Sequence, residues 1–276
     1  MVRLLGVFII VMSFAPLSHA ETLSHVRLIE DGQLDITIAL GFDELGDGHS
    51  ASVDSDEPQE LDVAYRELDV LYFEREIEKC EACAFRLEKK QKGYRRYGSH
   101  VRINGRNIKV NLFFVFQEPG VRIGMMKGAF LAALKNHDVI IYAGHSRHGE
   151  GFPDFGPGAR LDGKILKNVG KHKWTGFAPE LLAQDRYQIL ALNSCKSRMH
   201  YKRVIRKGFE KNPNELGLIL TNHDVYFDDF PATTMALVAG VLAQKSSASI
   251  LADMEVSGEL FNAFMPDQRA YSSSGF

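Results

Sequence analysis

The chain has 276 residues, 45% of them hydrophobic and 25% charged, with a formal net charge of −2. That length suits one large globular domain or two small ones. The near-neutral total gives no reason to expect nucleic acid or an anionic membrane as partner, and the longest apolar stretch after the first 20 residues, around Met235 to Ala243, is too short to cross a bilayer.

Residues 1–20 read as a signal peptide. Arg3 gives a positive start, Leu4 to Phe14 is almost continuously apolar, and Ser18-His19-Ala20 fits a small-x-small cleavage site. The mature protein is therefore expected to be exported, either periplasmic or secreted. Residues 21–109 read as a β-rich region. Leu34, Ile36, Ile38 and Leu40 alternate with Asp35, Thr37 and Ala39, the period of a half-buried strand. Asp43 to Asp62 is acidic and rich in Gly and Ser, which predicts a loop. Val70 to Ile77 and Ala84 to Leu87 are weaker strand candidates. Asn104-Gly105, between Val101-Arg102-Ile103 and Ile108-Lys109-Val110, predicts a tight hairpin. Leu112 to Phe116 is apolar enough for a central strand.

Residues 110–276 read as an α/β domain. Ile123, Met126, Phe130 and Leu134 mark one face of a helix. Buried strands are expected to end at Ala143, Leu192 and Thr221. Helices are expected over Arg198 to Glu210 and Pro231 to Ala243. Strands alternating with helices imply a mainly parallel sheet flanked by helices.

Three cysteines are an odd count for an exported chain. Cys80 and Cys83, two residues apart, are expected to form a disulfide in an oxidising compartment. That leaves Cys195 as an unpaired thiol. Cys195 follows one buried strand, in Leu192-Asn193-Ser194-Cys195-Lys196-Ser197. His145 follows another, in Ile141-Tyr142-Ala143-Gly144-His145. Loops at the carboxyl ends of neighbouring parallel strands form the ligand crevice of such sheets. A His and a Cys delivered there can act as base and nucleophile.

This ordered pair of strand-end motifs resembles the caspase-like cysteine peptidases (clan CD), a group that includes caspases, metacaspases, legumain, clostripain, gingipains, separases and CHAT peptidases. The resemblance covers roughly Asn111 to Ala243. It implies that Cys195 attacks a peptide carbonyl, that His145 passes the proton to the leaving amine, and that the backbone amides of Ser146 and Cys195 hold the oxyanion. Two positions depart from the pattern: Ser146 stands where Gly is usual after the His, and Ser194 where Ala or Gly is commoner before the Cys. His148 is a rival base. The acidic residues Asp224, Asp228 and Asp229 follow the next strand and would favour a cationic substrate residue, or else simply cap the helix beginning at Pro231. No cofactor and no metal is expected, although His145, His148 and Cys195 are residue types that bind metals. The implied partner is a peptide or protein substrate.

Two alternatives stay open. Gly144-His145-Ser146-Arg147-His148 nearly matches the nucleophile elbow of α/β-hydrolases, with Ser146 as nucleophile and His223 and Asp224 as companions. The final Gly of that elbow is His148 here, and the glycines and prolines from Gly151 to Gly158 oppose the helix the elbow requires. The other alternative is a catalytically inactive binding protein on the caspase-like fold.

Overall fold

The computed structural model describes residues 25–41, 58–116, 125–144, 146, 185–208, 215–265 and 268–274. These residues form one eight-stranded mixed sheet with helices on both faces, in the order β2-β3-β4-β1-β5-β6-β7-β8. The strands are β1 (Gln33–Gly41), β2 (Arg86–Gln91), β3 (Tyr94–Ile103), β4 (Arg106–Phe116), β5 (Val139–Gly144), β6 (Gln188–Asn193), β7 (Leu216–Thr221) and β8 (Tyr271–Ser274). The helices are α1 (His25–Leu28), α2 (Pro58–Lys79), α3 (Met125–Asn136), α4 (Ser197–Gly208), α5 (Phe230–Leu242), α6 (Ser247–Ser257) and α7 (Glu259–Phe264).

The five central strands β4, β1, β5, β6 and β7 run parallel. At both ends the sheet turns antiparallel, through β3 and β2 on one side and β8 on the other. The expected α/β sheet flanked by helices is present, and it is mixed, because the Asn104-Gly105 hairpin and the returning C-terminal segment each add strands by antiparallel pairing. That hairpin has the backbone its sequence demands. Asn104 (φ 49°) and Gly105 (φ 78°) both occupy the left-handed region of a two-residue turn.

β5, β6 and β7 are buried at every position. Such strands read as unbroken apolar runs because both faces are covered. On one face, Ile36, Ile38, Leu112 and Phe114 join Phe73 and Ile77 of α2 and Leu237 and Val241 of α5. On the other, Ala39, Val115, Tyr142 and Leu192 join Phe130 of α3 and Tyr201 and Ile205 of α4.

Val70 to Ile77, expected as a strand, lies inside α2. Val70, Phe73 and Ile77 are its buried positions, spaced as one helical face. β1 lies between β4 and β5, and the expected boundary at 109/110 falls within β4. Residues 1–20, expected as a signal peptide, most of the expected acidic loop and Gly151 to Gly158 lie outside the described residues. Cys80 and Cys83 form a disulfide, with Cα atoms 5.2 Å apart, and it closes the turn between α2 and β2. Among the described residues no helix is long and apolar enough to cross a membrane.

Candidate active site

The chain leaves β1 toward β4 on one side of the sheet and leaves β5 toward β6 on the other. The boundary between β1 and β5 is therefore a topological switch point, and ligand crevices of open α/β sheets form outside the carboxyl ends of strands at such points. The strand ends there are close. A Cβ on Gly144 would overlap the Gly41 carbonyl oxygen and come within 2.9 Å of Gly41 Cα. Glycine at 144 is what lets these two backbones approach.

Cys195 stands at the same edge, one strand further along. β6 ends at Asn193, and α4 starts at Ser197. The turn between them contains Lys196 at φ 50°, a left-handed conformation unusual for a side chain of this size. A tight strand–turn–helix thus carries Cys195. Several groups fix this turn. Ser197 Oγ donates to Leu192 O at 2.7 Å, and Thr221 N–H donates to Ser197 Oγ at 2.9 Å. Thr221 Oγ1 accepts the Ser197 amide at 3.0 Å and donates to Ser194 O. The Lys196 amide donates to His223 O at 2.8 Å. Asn193 is pinned beneath the turn by Thr233 Oγ1 at 3.0 Å and by the Tyr271 hydroxyl at 3.2 Å. No hydrogen bond from the Cys195 amide is present among the described residues.

The Cys195 side chain is half-buried, with Sγ 3.8 Å from the Val225 carbonyl oxygen. Burial pushes its pKa above the ordinary thiol value, and the negative charge of Asp224 acts in the same direction against Lys196. The groups described around this thiol therefore favour its protonated form. The Ser194 hydroxyl beside it is fully buried and has no hydrogen-bond partner among the described residues.

His145, His148 and Arg147 lie outside the described residues. Ser146 is described. It is 3% exposed, and its carbonyl accepts the Tyr201 hydroxyl at 2.6 Å. Asp224 is exposed and pairs with Lys196 at 2.7 Å. The His223 ring packs near Phe261, with centroids 6.0 Å apart. Asp229 is buried, and its Oδ2 accepts the Phe261 amide at 2.9 Å. At the start of α5 it makes no side-chain cap, so this carboxylate serves α7 instead. Asp228 is exposed, and its charge acts on Asp69 of α2.

Asp69 is a residue that sequence reasoning missed. It is 7% exposed, and burial first, then Asp228, push its carboxyl up to about 7. The Ser197–Thr221 clasp was missed as well. Hydroxyls in a strand and a helix start give no periodic signal of their own.

Compared with known proteins, the chain matches no family model, and no curated protein is significantly similar to it.

Proposed function

We propose that the chain is an exported cysteine endopeptidase of the caspase-like type, with Cys195 as nucleophile and His145 as base. One observation carries this reading. β5 and β6 are neighbouring parallel strands in which Ala143 pairs with Asn193. His145 and Cys195 each come two residues after this matched pair. Equal offsets from one register position, at the carboxyl edge beside the switch point, are what a dyad needs. The disulfide is compatible with an oxidising compartment.

In this mechanism Cys195 Sγ bonds to the scissile carbonyl carbon while His145 takes the thiol proton. The C–N bond then breaks, and His145 delivers that proton to the leaving amine. Water hydrolyses the resulting thioester. The amides of Ser146 and Cys195 donate to the oxyanion. Because its surroundings raise the thiol pKa, proton removal by His145 during attack matters more here than a pre-formed thiolate. Asp229 is committed to α7 and Asp224 to Lys196. Asp228, beside Asp69, is left as the carboxylate that would favour Lys or Arg in the substrate.

The strand–turn–helix at Cys195 and the burial of Ser146 favour this reading over a serine hydrolase. The raised thiol pKa favours a second one, an inactive relative that binds peptides without cleaving them. Labelling with an electrophilic peptide decides between them. An active dyad reacts at Cys195 in the wild type, reacts slowly in His145→Ala and not at all in Cys195→Ala. Wild type and His145→Ala labelling equally slowly, with no cleavage of a peptide library, would establish the inactive relative.

A further inference from the structure

The total charge of −2 conceals a segregation along the chain. Between Arg86 and Lys109 there are nine Lys or Arg and a single acidic residue, Glu88. That span forms β2, β3 and the start of β4, the antiparallel end of the sheet. Strand register sorts its side chains. Arg96 pairs with Lys89 and with Phe113, Gly98 with Arg86, His100 with Lys109 and Arg102 with Asn107. Partners across a ladder project to the same face. Arg86, Lys89, Arg96, His100, Arg102 and Lys109 therefore share one face. The opposite face carries Tyr97, Ile103, Ile108 and Val110 into the core.

The cationic face is open. Every residue of β2 is exposed, as are His100, Arg102 and Lys109. Its neutralisation is sparse: Arg96 meets Glu88 at 3.2 Å. Arg86, Lys89, Arg102 and Lys109 have no ion pair among the described residues. Arg95, by contrast, points into the core side and pairs with Glu74 at 2.5 Å. Three strands span roughly 10 Å across and Arg96 to Arg102 roughly 20 Å along, from strand spacing and rise. The charges thus spread over two dimensions of a sheet face, and among the described residues no exposed aromatic side chain is interleaved with them.

We propose that this face of β2–β3–β4 is a docking surface for an anionic phospholipid bilayer. Like-charged side chains gathered on one sheet face raise the energy of the free protein, and an extended anionic surface relieves that repulsion. A linear polyanion is better served by a groove or by exposed stacking aromatics, whereas the Phe113 ring on this face is half-buried and already covered by the Arg96 guanidinium. Each Lys or Arg near an anionic leaflet contributes about fivefold to partitioning at low salt. The surface is independent of the Cys195 site and does not rest on its activity.

The test is sedimentation of the full mature chain with phosphatidylcholine vesicles, with and without phosphatidylglycerol. Binding is expected only with the anionic lipid, and it should weaken steeply as salt rises. The triple variant Lys89→Gln, Arg102→Gln, Lys109→Gln should lose roughly a hundredfold in partitioning. Arg75→Gln, an exposed site on α2 across the sheet, should bind as wild type does. Unchanged melting temperatures would show that both variants fold. The proposal is overturned by equal binding to neutral vesicles, by no binding to anionic vesicles at low salt, by a triple variant that binds like wild type, or by capture of dextran sulfate in preference to vesicles.

Discussion

Asp69→Asn should stabilise the protein at pH 8 and leave it unchanged at pH 4. The carboxyl of Asp69 is raised from 3.8 to about 7 by burial and by the charge of Asp228. The unfolded chain therefore releases this proton at lower pH than the folded one. Between those values the folded state binds more protons, so stability falls as pH rises from about 4 to about 7 and is then level. The whole shift corresponds to about 4 kcal/mol at 1.36 kcal/mol per pKa unit. Asp228 is exposed, so solvent screens part of the interaction, and a realistic gain is on the order of 2 kcal/mol. An amide of the same shape removes the ionisation and leaves the packing of α2 in place. Urea unfolding at the two pH values measures the effect. Asp228→Asn should recover a smaller part of it, since only the second cause is removed. A gain for Asp69→Asn of the same size at pH 4 and pH 8, or a loss at both, would refute the reasoning.

Alkylation of Cys195 by iodoacetamide in His145→Ala should rise only at a pH above that of a free cysteine, because burial and Asp224 hold the thiol protonated. A rate already at its plateau at pH 7 would contradict this. Ser197→Ala leaves Thr221 and the Leu192 carbonyl short of partners in a buried turn, so it should cost about 1–3 kcal/mol by chemical denaturation and also slow any Cys195 labelling. Non-reducing mass spectrometry should find one titratable thiol, at Cys195. Reduction should cost about 2 kcal/mol, since Cys80 and Cys83 close only a short loop. In a library of peptide substrates, cleavage should favour Lys or Arg, and Asp228→Asn should weaken that preference several-fold.

The strands β5, β6 and β7 were legible because complete burial demands unbroken apolar runs. The hairpin was legible because only a few residue pairs tolerate its backbone. α2 was not. Its buried face, Val70, Phe73 and Ile77, has helical spacing, but Leu71 and Tyr72, 58% and 43% exposed, fill the gaps and read as a strand. β2 and β8 carry little apolar pattern, since backbone pairing to a neighbour defines them more than an apolar face does. At the site, Cys195 was legible as the odd thiol after a buried strand. Asp69 was not, because its significance lies in a tertiary contact with a residue 159 positions away in the chain. The cationic platform was visible only after register had assigned each side chain to a face.

β1, the first strand, is also an interior one. Its partners are far away along the chain: Gln33 pairs with Lys109, and Ile36 with Val139. Until both β4 and β5 have been made and delivered, the apolar face of β1 has nothing to close upon. Folding must therefore wait for long-range contacts, which are slow to form because loop closure precedes any reward. A chain that crosses a membrane before folding would benefit from such a delay, since a segment unable to condense alone stays threadable. Trimming the N-terminus through β1 would not shave an edge from this protein. It would leave β4 and β5 as two raw margins facing each other across a missing strand.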